Sequence, residues 1–296
     1  MKTREIFLGL AFALIWSSAF TSARISMFDA PPFLLLSVRF LLSGIVALGL
    51  ATYFGQKVIF SKLEWISIGI FGICQNTIYL GLNFVAMQWL DASMAAVIAS
   101  LLPLIVTIFS WIFLKETLSR WGVFGLLAGI AGVTIIMSSQ ISTRSSSTGI
   151  LLCAIGVLSL AIATIIVRNT PRENMLSMVG IQMLFGSITL FPLSLILETW
   201  EVNWTINLLL SFSYTTIFPG LIGTLIWFHL LHSIGPIKAA AFHFLNPFFG
   251  VLIANIILSE YLYFHQIVGV TLVTLAIMIL QLSNVSKINK DPKNLD

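Results

Sequence analysis

Charged side chains are scarce in this sequence. Only 9% of its 296 residues are Asp, Glu, Lys or Arg, whereas about 25% is usual for a soluble domain. Hydrophobic residues make up 58%, and the mean hydropathy is +1.02. A soluble protein with so few charges could not cover its surface, but a bilayer tolerates an apolar exterior. The composition therefore excludes a soluble domain and predicts one membrane-embedded body with little mass outside the bilayer.

Residues for metal binding and covalent chemistry are also missing. The two cysteines, Cys74 and Cys153, lie within apolar runs, so they suggest small buried hydrophobes and no disulfide framework. His229 and His232 have no Cys or acid at a suitable spacing to complete a metal site. No phosphate-binding loop or nucleophile elbow is present. We therefore expect no metal, no cofactor and no catalytic residue.

A sequence pI near 9.2 could suggest nucleic acid as a partner. The basic residues form no dense patch, however, and fall in short loops, where membrane topology explains them better. The expected partners are the lipid bilayer and a small-molecule substrate, without nucleic acid.

Apolar runs of about 18–23 residues recur along the whole chain, and each is long enough to cross ~30 Å of hydrocarbon. We predict an all-α membrane protein with ten transmembrane helices at 6–23, 32–53, 65–86, 91–113, 121–138, 149–167, 176–197, 208–231, 237–257 and 264–282. The first run resembles a signal peptide, but the poor cleavage site at Thr21–Arg24 favours a retained helix.

The distribution of basic residues predicts the orientation. With ten helices and a cytoplasmic N-terminus, twelve of the 15 Lys and Arg residues fall on the cytoplasmic side. Arg24 and Arg144 fall outside, and Arg39 lies within a span. The positive-inside rule then predicts that both termini are cytoplasmic.

The two halves of the sequence share a pattern at an offset of 144 residues, without a gap. The matched pairs are Ala95/Ala239, Ala96/Ala240, Pro103/Pro247, Leu114/Leu258, Glu116/Glu260, Leu118/Leu262 and Gly125/Gly269. Chance matching of a Pro and a Glu is improbable in so apolar a chain, so the pattern indicates a duplication. Since five spans per copy is an odd number, the copies must have opposite orientations, an architecture common in secondary transporters. We place the repeats at 1–142 and 148–284, followed by a cytoplasmic tail at 285–296.

Several motifs carry a family resemblance. They are Gly9 … Trp16-Ser17, Val38-Arg39-Phe40, and the twice-repeated pattern Ala-Ala … x-Pro … Leu-x-Glu … Gly described above. Over about residues 5–282, they resemble the EamA domain of the drug/metabolite transporter superfamily. The resemblance implies a central cavity lined mainly by helices 1, 3, 4, 6, 8 and 9. It also implies export of small metabolites from bacteria, with amino acids, sugars, cofactors or drugs as cargo. The sixth helix departs from the pattern, because it lacks the Trp of the first, and this suggests an asymmetric pocket.

Polar groups and aromatic rings inside spans are candidates for the substrate site, because polar groups are costly in a membrane. The candidates are Trp16, Gln75, Asn76, Tyr79, Asn83, Trp227, His243 and Asn246. The helix 3 residues among them form a polar patch, and His243 and Asn246 share a face of helix 9. The alternative is that these polar groups make hydrogen bonds between helices. The two tryptophans could instead supply flat apolar walls for a substrate.

Five further residues have other interpretations. Pro103 and Pro247 interrupt their spans, which indicates either a packing kink or a bend used in gating. Arg39 suggests a snorkelling or paired side chain, or a group that captures an anion. Glu116 and its counterpart Glu260 are at helix ends, where bracing or capping of neighbouring helices is favoured.

Taken together, these observations predict a secondary transporter of small metabolites in the inner membrane, working by alternating access as a monomer or homodimer. An exporter of amino acids or related compounds is favoured, and an uptake or exchange permease is the alternative. The lack of an acid in the middle of any span weakens acid-based proton coupling and leaves His243 or facilitated exchange. An intramembrane enzyme is less favoured, because its clustered acids or metal-phosphate site are missing.

Overall fold

The structure is a computed structural model that describes residues 3–90, 92–137, 146–167, 173–258, 264–283 and 285–287. Within these ranges the chain is almost entirely helical, and each of the ten predicted apolar segments contains helix. Glu260, the linker around Arg144, and the tail beyond residue 287 lie outside the described residues, as do Arg168 and Arg172. The predictions that involve them stay predictions.

The first half contains α1 (Thr3–Met27), α2 (Pro32–Tyr53), α3 (Lys62–Ala86), α4 (Ala92–Ala99 and Leu102–Leu114) and α5 (Arg120–Met137). The second half contains α6 (Ser147–Val167), α7 (Met175–Leu197), α8 (Ile206–Ile234), α9 (Pro236–Ala240, Ala241–Leu245 and Asn246–Leu258) and α10 (Phe264–Leu282). Two short strands, β1 (Glu116–Leu118) and β2 (Val285–Lys287), pair in antiparallel fashion.

Six helices in the described part of the chain are long and apolar enough to cross a membrane, namely α1, α2, α3, α6, α7 and α8. The apolar stretches of α4, α5 and α10 are shorter. The chain is thus a helical protein with several membrane-spanning segments, while the count of ten spans and the orientation stay predictions.

Side chains close the helix ends where backbone groups lack partners within the helix. Ser61 and Glu64 form a capping box at the start of α3. The carboxylate of Glu198, which directly follows α7, accepts hydrogen bonds from the backbone N–H groups of Phe33 and Leu34 at 2.7 and 3.0 Å. At the same end of the bundle, the Arg24 guanidinium donates to carbonyl groups in the turn after α3. These contacts tie the ends of α1, α2 and α3 to neighbouring helices.

The closest helix pairs occur at equivalent places in the two halves, because α2 packs against α7 and α5 packs against α10. Glycine allows the backbones to approach at both interfaces. A Cβ on Gly44 would lie 3.1 Å from the carbonyl oxygen of Gly180, and a Cβ on Gly180 would lie 3.1 Å from that of Gly44. In the second pair, a Cβ on Gly132 would lie 2.9 Å from the Gly269 oxygen. Small residues permit this close packing, which supplies much of the attraction between helices in lipid.

Departures from α-helix also recur in both halves. A π-helical segment occupies Ile73–Leu80 within α3, and another occupies Thr216–Gly223 within α8. Such segments are rare in proteins, and those that occur are often found at functional sites. Both α4 and α9 leave the α-helical conformation just before their repeated proline, so that Pro103 and Pro247 fall in the first turn of a new helical segment. Proline is tolerated there because the first N–H groups of a helix have no intrahelical partner.

The reciprocal glycine contact predicts that bulk at Gly44 separates α2 from α7. We expect Gly44→Leu to lower the free energy of unfolding by about 1–3 kcal/mol, since a larger side chain would overpack the interface. The matched control is Gly49→Leu on the same helix, where nothing lies within 4 Å of an added Cβ. Thermal unfolding of the two purified variants and of the unchanged protein in detergent measures these effects. Equal melting temperatures for the two variants would show that this interface is not closely packed.

Candidate functional site

A narrow cavity lies between helices of both halves, among α1, α2, α3, α7 and α8. The residues that line it are Trp16, Ala19, Phe20, Arg39, Phe40, Gln75, Asn76, Tyr79, Leu80, Phe84, Met87, Met183, Pro219 and Thr224. Its interior volume of about 20 Å³ has room for about one water molecule. In this structure the cavity is therefore too narrow for a molecule much larger than water.

The expected lining came mainly from helices 1, 3, 4, 6, 8 and 9. In the structure, α4, α6 and α9 do not line this cavity, whereas α2 and α7 do. Two bulky rings of α9 pack closely against neighbouring helices. Phe242 sits against Gly9 of α1, where an added Cβ would lie 2.1 Å from the ring, and Phe244 sits against Gly129 of α5. The two halves therefore do not contribute equivalent walls.

Four of the predicted site residues line the cavity: Trp16, Gln75, Asn76 and Tyr79. The last three belong to the π-helical segment of α3 and are buried. The indole N–H of Trp16 donates to the Tyr79 hydroxyl at 3.4 Å, and the two rings lie nearly parallel with centroids 6.5 Å apart. These two side chains form an aromatic wall between α1 and α3.

The amides beside this wall leave acceptor oxygens without partners. Asn76 Nδ2 donates to the backbone carbonyl of Gln182 at 2.9 Å and to its Oε1 at 2.6 Å. These two acceptors fix the orientation of the Asn76 amide. Asn76 Oδ1 and Gln75 Oε1 are buried and have no hydrogen-bond partner in the described part of the chain. An unsatisfied buried acceptor costs about 1–3 kcal/mol, so these oxygens are ready to accept hydrogen bonds from a bound molecule.

His243 lies one layer behind the cavity and does not line it. Its ring is surrounded by Phe12, Trp16 and Trp227, with ring centroids 5.1, 6.0 and 5.0 Å away. The imidazole also interacts with the backbone of Ala240, but neither ring nitrogen has a hydrogen-bond partner of good geometry among the described groups. The structure thus holds this histidine in an aromatic box that shares the Trp16 ring with the cavity wall.

Three more predicted residues lie outside the cavity lining. Trp227 stacks on Phe12 at 5.1 Å, with an interplanar angle of 20°. Ser17 Oγ lies 3.2 Å from Asn246 Oδ1 of α9 and 2.6 Å from the carbonyl oxygen of Ala13, so its one hydroxyl hydrogen is shared between these two acceptors. Asn83 Nδ2 donates to the carbonyl of Tyr79, one turn earlier, at 2.7 Å. The observed contacts of Asn246 and Asn83 are thus hydrogen bonds between or within helices, which was the alternative to a role in substrate binding.

Arg39 lines the cavity, although it was not among the predicted site residues. Its side chain is 4% exposed, and its guanidinium lies over the Phe40 ring at 5.3 Å. Its position as the one strong cation well inside a predicted span was the signal for it. That signal was ambiguous, because the sequence does not show whether such a side chain reaches the interface, meets an acid or faces a cavity.

Known proteins resemble this chain along most of its length. The EamA-like transporter family matches it twice, over residues 3–138 and 147–282. The uncharacterized transporter YvbV of Bacillus subtilis (strain 168) is 26% identical, over 93% of this chain and 91% of the relative. An uncharacterized transporter of Archaeoglobus fulgidus is 28% identical, over 89% and 94%. The uncharacterized inner membrane transporter YedA of Escherichia coli (strain K12) is 26% identical, over 86% and 84%.

One solved crystal structure shares the fold. It covers 95% of this chain and 98% of its own, with a TM-score of 0.77 and 19% sequence identity. At this identity, the likeness concerns the fold alone.

The contact between Ser17 and Asn246 predicts energetic coupling between α1 and α9. We expect Ser17→Ala and Asn246→Ala to destabilise the protein non-additively, with a coupling of about 0.5–1.5 kcal/mol. Unfolding of both single variants and the double variant in detergent measures this coupling. Ser18→Ala with Asn246→Ala supplies a control pair, because Ser18 bonds to Tyr214 instead. Additive effects in the Ser17 cycle would contradict the contact.

Proposed function

The chain belongs to the EamA-like transporter family, and on that premise we propose that it exports amino acids or related small metabolites by alternating access. In this proposal it is a secondary transporter of the cytoplasmic membrane, which the family match and the apolar helices support. Two EamA repeats in opposite orientations give it two related conformations, open to the inside and open to the outside.

The observation that carries this proposal is the cavity between helices of both halves. It combines aromatic walls with a few polar groups that lack partners, the composition expected of a small-molecule site. The space of about 20 Å³ is too small for a substrate, so the proposal requires the helices around it to move apart when a substrate binds. An enzyme would need reactive groups here, whereas the lining offers amides, aromatic rings and one arginine.

The proposed motion uses the departures from α-helix that occur in both halves. The π-helical segments of α3 and α8 lie on either side of the cavity and contribute Gln75, Tyr79 and Pro219 to its lining. The breaks before Pro103 and Pro247 let the halves of α4 and α9 tilt without the loss of regular hydrogen bonds. We assign these prolines to gating and place the substrate between α1, α3 and α8.

Contacts between loops support the proposed arrangement of ten spans with both termini inside. On one face, Gln56 after α2 accepts hydrogen bonds from the backbone of Leu176 and Ser177 at the start of α7. On the other face, the Asp29 carboxylate after α1 accepts a hydrogen bond from Thr205 Oγ1 before α8 at 2.5 Å. Loops that alternate in sequence therefore meet at opposite ends of the bundle. The positive-inside rule assigns the face with Gln56 to the cytoplasm.

Cysteine accessibility tests this orientation. In a protein whose Cys74 and Cys153 are replaced by Ala, we expect Glu201→Cys to react with a membrane-impermeant maleimide added to intact cells. Ile59→Cys, 73% exposed in the loop after α2, is expected to react only after the cells are opened. Labelling in the reverse order would place both termini outside.

Flux into proteoliposomes tests the transport site. We expect Trp16→Ala and Gln75→Ala to reduce metabolite flux at least about tenfold, because each removes a wall or a polar contact of the cavity. Trp121→Ala is the control, since this tryptophan is 71% exposed and distant from the cavity lining. The candidate substrates are amino acids and other metabolites whose concentrations in the medium differ between cells with and without the protein. Flux of each is measured in both directions across the membrane. Unchanged flux in the cavity variants would reject this site, and no flux in the intact protein would reject the transporter.

A further inference from the structure

Resting on the proposed transport function, we infer that Arg39 binds the carboxylate of the transported molecule. The substrate class is then a small organic acid with a compact apolar body and a hydrogen-bond donor, which includes α-amino and α-hydroxy acids. The inference starts from a cation that is buried beside a cavity and has no counter-charge among the residues that the structure describes.

The depth of Arg39 makes its charge unusual. It is the eighth residue of α2, about 10 Å along the helix axis from Pro32. Only 4% of its surface is exposed. A charge so far from water is costly unless another group offsets it. Snorkelling to the interface does not describe this side chain, because it lines the interior cavity.

No described acid offsets the charge. Every acid in the described ranges lies in a loop, in a strand or in the first turn of a helix, namely Glu5, Asp29, Glu64, Glu116, Glu173, Glu198 and Glu201. The Arg39 Nε atom is buried without a hydrogen-bond partner in the part of the chain that the structure describes. The Phe40 ring at 5.3 Å supplies a weak cation–π contact, worth about 0.5–2 kcal/mol. Arg39 therefore retains the capacity to bind an anion.

The backbone of α8 leaves room for the guanidinium. A Cβ placed on Gly220, in the π-helical segment, would lie 3.6 Å from Arg39 Nε and 3.3 Å from Ser43 Oγ. Glycine at this point allows α8 to pass close to the arginine without a side chain between them. The arginine is thus held between α2 and α8, where a movement of one half against the other would change its access.

The other lining groups complement a carboxylic acid that carries a donor. Gln75 Oε1 and Asn76 Oδ1 are unpaired acceptors on the same cavity, and an ammonium or hydroxyl group would satisfy them. Trp16, Phe20 and Tyr79 supply apolar walls for the body of the molecule. A planar guanidinium matches a carboxylate in two parallel hydrogen bonds. A neutral molecule would leave the arginine charge unpaired.

The test uses matched probes on the full-length protein purified in detergent. The probes are 4-methylpentanoate and L-leucine, which carry a carboxylate, and 4-methylpentanamide and L-leucinamide, in which an amide of similar size replaces it. We expect the carboxylates to bind, raising the melting temperature, and the amides to bind at least about tenfold more weakly. Equal binding of acids and amides, or no binding of either acid, would overturn the inference.

Variants separate a binding role from a structural one. Arg39→Gln is expected to weaken carboxylate binding about tenfold to a hundredfold and to leave the ligand-free melting temperature unchanged or higher, because an unpaired buried charge is removed. Arg39→Lys is expected to bind with intermediate affinity, since it retains the charge without the planar fork. Lys62→Gln, which removes an exposed cation at the start of α3, is the control and should bind normally. A lower ligand-free melting temperature for Arg39→Gln, with unchanged carboxylate binding, would show a structural role.

Flux measurements keep this inference distinct from the proposed function. If the intact protein binds the acids but moves no metabolite across a liposome membrane, the transport function fails and the carboxylate site stands. If it moves neutral metabolites at the same rate with and without Arg39, the transporter stands and the carboxylate site fails.

Discussion

The interior of a bilayer offers almost no water to polar groups, and this constraint determines most of the structure. Backbone groups within the spans must pair inside their own segment, which favours helices. Many Ser and Thr hydroxyls bond to a carbonyl one turn earlier, as Thr164 does to Leu160. At the helix ends, Glu198 accepts from N–H groups of α2, and Arg24 donates to the carbonyls of Met87 and Leu90 in the turn after α3. The protein therefore satisfies its polar groups locally wherever it can.

Against that background, the buried polar atoms that have no partner in the described part of the chain are exceptions. Most of the described side chains with a buried, unpaired polar atom lie on the cavity or touch its walls, among them Arg39, Gln75, Asn76 and His243. Such groups cost free energy in the empty protein. A transporter needs this arrangement, because a site that satisfied all its own polar groups would have nothing left with which to hold a substrate. The cost is offset by close helix packing elsewhere, as at Gly44 and Gly180.

The duplication explains how rigid and deformable parts are combined. The tightly packed pairs, α2 with α7 and α5 with α10, join the two halves at equivalent places. The π-helical segments and the breaks before the two prolines also recur, but they lie in α3, α4, α8 and α9. The cavity itself is less symmetric than the backbone, since Phe242 and Phe244 of α9 pack closely against α1 and α5. The two halves therefore resemble each other more in their backbone than in the side chains that pack between them.

Much of this protein follows from its sequence alone, because apolar runs in lipid have few alternatives to helix. Residue type and spacing predicted the helical segments and the family, and both are confirmed. The structure places Trp16, Gln75, Asn76 and Tyr79 on the cavity, and their role in substrate binding stays a prediction. The tertiary structure decided what lies opposite each polar group. It placed Asn246 beside Ser17, directed Asn83 to its own helix and enclosed His243 in aromatic rings. It also left Arg39 facing the cavity with no acid of the described ranges beside it. These outcomes depend on the rotation and depth of neighbouring helices, and periodicity within one segment carries no information about the segment packed against it.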